Sequence, residues 1–389
     1  MKENEAKFEV SQRLNGVGEY YFSRKLREID QMRAAGKEII SLGIGSPDRP
    51  PHSSVIERLS AEAAKPGTHA YQSYRGAAVL RNAIAGWYGA RYGVELDPEG
   101  GILPLLGSKE GLMHIFMTYL DPGDKVLIPN PGYPTYRSAA TIAGGVCVEY
   151  ALTAENGWMP DLKEIERGGM DGVKIMVVNY PHMPTGAVPT RELFERLVAF
   201  AGKHGILLVH DNPYSFVRNP RPMSLLGVPG AMDVAVELNS LSKSHNMAGW
   251  RVGMVVGAAE RIDDIIRFKS NMDSGMFLPV QEAAAAALAL GDEWYKELND
   301  TYYKREKLAY ALLDKLECTF SRSQAGLFVW AALPDGFAGN SYDFCDDILN
   351  NNGVFLTPGA IFGSEGNRYV RISLCASEQT IRKAMDKIG

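Results

Sequence analysis

The stretch Ser240-Leu241-Ser242-Lys243-Ser244-His245-Asn246-Met247-Ala248-Gly249-Trp250-Arg251 sets one lysine among hydroxyls, eight residues before an arginine and directly after an apolar run. A neutral lysine amine condenses with an aldehyde to an imine, and hydroxyls with a guanidinium hold a phosphate. The same stretch also reads as a solvated basic loop. Only partners elsewhere in the chain separate the two readings.

Such partners fall at the ends of other apolar runs. Asp211 closes the run Gly205–His210 and is followed by Asn212-Pro213-Tyr214. A carboxylate at the end of a buried strand is costly unless a cation or hydrogen bonds meet it. A helix cap or a structural ion pair would satisfy it. So would a protonated pyridine nitrogen, with Tyr214 donating to a neighbouring phenolic oxygen. Gly107-Ser108-Lys109 lies between an apolar run and a helical pattern, where free backbone N–H groups bind anions and glycine permits close approach. Tyr133, in Asn130-Pro131-Gly132-Tyr133-Pro134, is a strand-end aromatic suited to stacking on a flat ring or to an ordinary loop role. Pyridoxal phosphate (PLP) carries the aldehyde, the phosphate, the pyridine and the phenol that these residues would serve.

The elements that must position them alternate. Short aliphatic runs at Gly101–Leu106, Lys125–Ile128, Val146–Tyr150, Val173–Asn179, Gly205–Asp211 and Met232–Asn239 read as strands, and Val252–Val256 as an antiparallel addition. Helical patterns at Lys109–Tyr119, Thr135–Ala143 and Thr190–His204 separate them. Continuously apolar strands between helices predict an α/β architecture, a mostly parallel sheet covered on both faces, with ligands beyond the carboxyl ends of its strands. After about residue 280 the pattern changes to a long helix across Asp292–Leu316, short strands at Gly326–Ala331, Val354–Leu356 and Tyr369–Leu374, and a final helix from Glu378. The expected division is a large domain at 49–280 and a smaller α+β domain built from 1–48 and 281–389.

Composition narrows the class. With 389 residues, 46% hydrophobic and 22% charged, the chain is long enough for two cores and has the balance of a soluble globular protein. A net charge of -5 argues against nucleic acid or an anionic membrane as the main partner. The 4 cysteines lie apart and the 7 histidines are scattered, which gives no metal-ligand spacing and suits a reducing compartment. No apolar leader or membrane-length run is seen, so a cytoplasmic location is expected.

Taken in order and spacing, these motifs resemble fold-type I PLP enzymes, specifically class I/II aminotransferases, along nearly the whole chain. The fold implied is a large domain with a mostly parallel seven-stranded sheet plus a smaller α+β domain. By the resemblance Lys243 forms the imine with the cofactor aldehyde, Asp211 pairs with the pyridine nitrogen and Tyr214 with the phenolic oxygen. Tyr133 stacks on the ring. Asn179 belongs to the same cofactor set. Gly107, Ser108, Lys109 (through its backbone), Ser240, Ser242 and Arg251 hold the phosphate. Tyr71, in Ala70-Tyr71-Gln72-Ser73-Tyr74-Arg75-Gly76, matches the tyrosine that reaches the phosphate from a partner subunit, which implies a homodimer. Arg371, in Tyr369-Val370-Arg371-Ile372-Ser373, matches the arginine that clamps the substrate α-carboxylate, and Ile44-Gly45 the segment that closes over it. The reaction implied is ping-pong transfer of an amino group between an L-amino acid and a 2-oxo acid.

One position departs from the family. Asn179-Tyr180-Pro181-His182-Met183-Pro184-Thr185-Gly186 matches a segment that usually reads N-x-x-x-N-P-T-G, so Met183 stands where an asparagine donates to the phenolic oxygen. Methionine has no hydrogen to donate. His182 is the candidate to compensate. The segments 244–251 and 269–275 look like those of alanine and LL-diaminopimelate aminotransferases, and no arginine stands within 270–275 to read a distal carboxylate. A C–S β-lyase on the same fold, a non-catalytic PLP-binding regulator and a nucleotide-dependent enzyme are the competing readings. The last two lack a basic DNA-binding extension and a Walker or Rossmann fingerprint, respectively.

Overall fold

The computed structural model describes residues 8–389. Its strands in chain order are β1 (Ile40–Ser41), β2 (Ile102–Leu105), β3 (Lys125–Asn130), β4 (Val146–Ala151), β5 (Val173–Asn179), β6 (Leu207–Asp211), β7 (Ala235–Ser240), β8 (Gly253–Gly257), β9 (Phe328–Ala332), β10 (Val354–Phe355), β11 (Thr357–Pro358) and β12 (Tyr369–Ser373).

Seven of them form one sheet in the order β2-β8-β7-β6-β5-β3-β4. The β3–β4, β3–β5, β5–β6 and β6–β7 pairs are parallel, whereas β8 runs antiparallel to both β7 and β2. The central strands are predominantly aliphatic because helices cover both faces, as in β5 (VKIMVVN) and β8 (GMVVG). The edges differ in the way edges must. Pro104, which has no N–H to give a ladder, sits in edge strand β2, and the opposite edge strand β4 leaves Val146 48% exposed.

The expected run Met232–Asn239 divides. Gly230, at φ 78°, starts a helical turn over Ala231–Val234, and the strand begins only at Ala235. The run from Gly205 likewise loses its first residues, because Gly205 at φ 62° ends the helix Arg191–His204. The long helix is Asp292–Lys315, with Leu308, Leu312 and Leu313 buried along one side. The small-residue run Ala283–Leu290 lies in and just beyond the helix Leu278–Leu288, which packs on the helices Ser53–Ala63 and Ala78–Tyr92 and shares their core. The expected boundary at 280 falls inside this helix.

The second sheet has the order β11-β12-β9, all antiparallel, and β1 pairs in parallel with β10. Its core joins Leu42, Leu298, Leu312, Val329 and Ile372, and reaches Met183 and Tyr214 at the end of the large sheet. The junction therefore lies where the carboxyl ends of the parallel strands converge. In register, Asn179 pairs with Asp211, and Asp211 with Leu238. Among the described residues, no helix is long and apolar enough to cross a membrane.

Candidate active site

The end of β6 sets Asp211 in the floor of a cavity of about 510 Å³ between the two sheets. Its side chain is buried, and only one of its oxygens is used. Tyr136, on the helix Pro134–Ile142, donates its hydroxyl to Oδ2 at 2.8 Å, while Oδ1 has no partner among the described residues. Burial pushes the Asp211 carboxyl up to about 6, against the lowering effect of the Tyr136 hydrogen bond. A buried oxygen left open beside a cavity fits a ligand N–H.

Lys243 enters from the short helix Leu241–Ser244 that follows β7. Ser240 caps this turn, its Oγ accepting from the Ser242 N–H at 3.1 Å and lying 2.9 Å from the Ser242 hydroxyl. Lys243 Nζ donates to the Gly45 carbonyl at 2.7 Å. Removal of water around it pulls its ammonium below the usual lysine range, which increases the fraction of nucleophilic amine.

Arg251 adopts the left-handed conformation (φ 59°) and lays its guanidinium beside Gly107. Any side chain at Gly107, itself at φ 94°, would collide with that guanidinium. Among the described residues Arg251 meets only carbonyls, Nη1 donating to Ala248 at 2.8 Å and Nη2 to Leu106 at 3.3 Å. With Ser108 opening the helix Ser108–Tyr119, and with Ser240 and Ser242, it forms an anion cradle. Glu110 holds the turn by accepting from the Leu106 N–H at 2.6 Å.

Arg371, on β12, is 3% exposed and has no carboxylate partner among the described residues. Aromatic rings replace one: its Cζ is 3.7 Å from the Phe328 ring centroid and 4.7 Å from that of Phe362. Nη2 donates to the Gly43 carbonyl at 2.9 Å, Nη1 to Met183 Sδ at 3.2 Å, and Nε is unpaired. Burial pulls its pKa down to about 10. The segment that includes Ile44 and Gly45 is pinned from the same strand, Ser373 Oγ donating to the Ile44 carbonyl at 2.7 Å. Gly45 lies so close to the Phe328 ring that a side chain there would strike it.

Ile44, Gly45, Ser108, Lys109, Tyr133, Asn179, Met183, Asp211, Tyr214, Ser240, Ser242, Lys243, Arg251 and Arg371 all line the cavity. Asn179 is committed on both ends, its Nδ2 donating to the Asp211 carbonyl at 2.6 Å and its Oδ1 accepting from the Met183 N–H at 2.8 Å. Lys109 brings its side chain as well as its backbone, with Nζ 4.9 Å from the Tyr20 ring centroid. Tyr71 stands apart, 91% exposed and outside the cavity of its own chain.

His182 does not reach the site. It is buried outside the cavity with Nδ1 2.8 Å from the Thr185 hydroxyl, and burial pushes its pKa down to about 3. The residues that sequence reasoning did not find are Tyr136, Phe328, Phe362 and the cavity face of the helix Tyr21–Ala34, together with Tyr20 at its start. The helical spacing of Phe22 and Leu26 was a signal for that face. A grouping hidden by sequence distance also emerges in Glu110, His114 and Asp273. Lys269 already supplies its cation, with Nζ 2.6 and 2.7 Å from the two Asp273 oxygens.

The residues present fit PLP. The open Oδ1 of Asp211 suits a pyridinium N–H, the Arg251–Gly107 cradle a phosphate, and Lys243 an aldehyde. Compared with known proteins, residues 37–388 match the family model described as aminotransferase class I and II. An LL-diaminopimelate aminotransferase of Oleidesulfovibrio alaskensis is 42% identical over 98% of this chain and 99% of its own. One from Desulforudis audaxviator is 40% identical over 98% of this chain and 97% of its own. Among solved structures, substrate-bound BacF from Bacillus subtilis superposes with a TM-score of 0.93 at 35% identity, covering 98% of this chain and 97% of that one. A mutant aspartate aminotransferase of Thermus thermophilus gives 0.90 at 26% identity, covering 98% and 99%. The chain therefore belongs to the class I and II aminotransferases, PLP-dependent enzymes of fold type I that move amino groups between amino acids and oxo acids.

Proposed function

We propose that Lys243 is the residue that binds the cofactor aldehyde and carries the proton in a ping-pong transfer from an L-amino acid to a 2-oxo acid. The observation that supports this most is one cavity holding an amine shifted toward neutrality and, among the described residues, a buried carboxylate with an open oxygen and a buried guanidinium that meets no carboxylate. When bound, PLP supplies an electron-poor ring that takes up the electron pair left as the substrate α-carbon loses its proton.

The chain's own residues then have separable tasks. Asp211 keeps a proton on the pyridine nitrogen, and Tyr136 holds Asp211 in place from the side. Tyr214 donates to the phenolic oxygen, Tyr133 covers a ring face, and Asn179 fixes the turn that carries Met183. Gly107, Ser108, Lys109, Ser240, Ser242 and Arg251 hold the phosphate. Arg371 binds the substrate α-carboxylate with its fork, a bidentate task, and Ile44-Gly45 shuts water away from it. Lys243 Nζ takes the proton from the α-carbon and hands it on, which requires the neutral amine that burial favours.

In this reading the enzyme is a homodimer, with Tyr71 reaching the partner's phosphate site; its exposure in its own chain supports that role. The four free cysteines suit a reducing, cytoplasmic compartment. The large domain begins at residue 49 and extends past 280 to the end of the helix Leu278–Leu288, since that helix shares the large core. The smaller domain comprises 1–48 and the remainder.

Borohydride reduction of the holoenzyme followed by peptide mapping tests the assignment. The reading expects the cofactor on the peptide containing Lys243. Label on any other lysine contradicts it.

A further inference from the structure

The anion cradle is braced from outside the cavity. The helix Ala259–Lys269, which follows β8, packs on the helix Ser108–Tyr119, where Ile262 and Ile265 share a core with Leu112, Ile115 and Phe116. Lys269, the last residue of that helix, is 1% exposed and donates to both oxygens of Asp273, at 2.6 and 2.7 Å. Asp273 is thereby set against the first turns of the helix Ser108–Tyr119: one atom each of Asp273, Glu110 and His114 lie within 4.8 Å of one another. Glu110 in turn accepts from the Leu106 N–H at 2.6 Å, and the Leu106 carbonyl accepts from Arg251. A short path of neighbouring polar groups therefore runs from buried Lys269 to the guanidinium of the cradle.

The same carboxylate shapes the support of the loop that carries Tyr71. Asp273 Oδ1 also accepts from the Gly275 N–H at 3.1 Å, closing a turn in which Gly275 takes φ 85°. This turn presses on the Tyr71 loop. A side-chain carbon at Gly275 would fall 2.8 Å from the Ser73 carbonyl oxygen and 2.9 Å from that of Gln72. Farther along the loop, Arg75 Nη2 reaches Asp263, on the helix Ala259–Lys269, at 2.5 Å. The loop thus rests at two points on that helix and the turn after it. Tyr71 itself is 91% exposed and lies outside the cavity of its own chain, so the backbone at 72–75 sets where its ring stands.

Without the Lys269 ammonium, two neighbouring carboxylates, Asp273 and Glu110, would face each other with their side chains only 14% and 15% exposed. Their repulsion would open the turn. Resting on the reading that Tyr71 serves the partner's phosphate site, we infer that Lys269 and Asp273 are positioning residues for cofactor retention. They act on their own cradle through Glu110 and on the partner's through the Tyr71 loop. Neither lines the cavity. A substitution at either position in one subunit therefore weakens PLP binding in the other, unaltered one.

Hybrid dimers of the holoenzyme, purified through two different tags, test this. One subunit is native. The other carries Lys243→Ala, so that only the native site gives the imine absorption, together with one further substitution. Loss of that absorption after addition of a PLP trap reads cofactor release from the native site. With Lys269→Met or Asp273→Ala in the partner, release should be roughly tenfold faster than with Lys243→Ala alone, the scale of one charge-assisted hydrogen bond. Tyr71→Phe in the partner is the reference and should speed release as well. Release unchanged by Lys269→Met and Asp273→Ala but quickened by Tyr71→Phe overturns the proposal. Release unchanged by all three shows instead that Tyr71 does not serve the partner, and the reading beneath the proposal fails with it. If Lys269→Met does not assemble, Asp273→Ala decides the matter alone.

Discussion

Arg371 donates through Nη1 to the sulfur of Met183 at 3.2 Å, so the guanidinium proposed to hold the substrate carboxylate leans on a thioether, a weak acceptor. The side chain that steadies the arginine has no hydrogen to offer a phenolic oxygen in the same cavity. A phenolate short of one donor keeps the imine proton more tightly. Met183→Asn is therefore expected to move the pH titration of the holoenzyme's visible absorption to lower pH. An unchanged titration would show that position 183 does not set this property.

Replacing Arg371 itself separates binding from chemistry. A forked pair between a guanidinium and a carboxylate gives about 1.5–3 kcal/mol per charged hydrogen bond. Arg371→Lys keeps the charge but loses the fork, and it should raise KM roughly tenfold or more with a smaller change in kcat. Steady-state kinetics with one donor checks the split, and an unaltered KM would remove Arg371 from the carboxylate site.

Asp211 makes stability depend on pH in the cofactor-free protein. Its carboxyl is raised from an ordinary 3.8 to about 6 by burial, so the folded chain keeps a proton that the unfolded chain releases. Stability from this group falls as pH rises between those values, and above them a penalty of about 3 kcal/mol remains. Asp211→Asn, which does not titrate, should melt higher than the parent above pH 6 and converge with it below the ordinary carboxylate range. Melting curves across pH in the absence of PLP read the difference directly.

Tyr136 supplies the hydrogen bond that the Asp211 carboxylate receives among the described residues. Tyr136→Phe should raise the Asp211 carboxyl further and weaken its pairing with a pyridinium. The expected result is a loss of PLP affinity of about tenfold, in line with one charge-assisted bond. Equilibrium dialysis of the cofactor measures it, and rescue by Tyr136→His, which restores a donor, distinguishes the bond from ring packing.

Much of this site was legible because strand ends declare themselves. Asp211, Lys243 and Gly107 follow runs too apolar to be anything but buried, so a charge or a glycine there demanded a reason. The boundaries were less visible where a glycine at positive φ cut a run, as at Gly205 and Gly230. Tyr136 escaped because a tyrosine in the first turn of a helix looks like core even three residues after the Tyr133 motif, and only the packing of its helix on the sheet aims its hydroxyl at Asp211. Phe328 and Phe362 belong to the second sheet, and their meeting around Arg371 is a product of tertiary packing that no local spacing encodes. The N-terminal helix was missed because Phe22, Leu26 and Ile29 form one ordinary apolar stripe, and only tertiary packing sets Ile29 in an anchoring cluster and Phe22 and Leu26 against the cavity.

The most direct measurement is the visible spectrum of purified holoenzyme mixed with an amino donor and then with a 2-oxo acid. The account predicts that the absorption band is lost with the donor, that one equivalent of the donor's oxo acid is released, and that the band returns on adding the acceptor, all abolished in Lys243→Ala. A band that never changes, or pyruvate and thiol released from cystathionine without any acceptor while the spectrum stays unchanged, would contradict it.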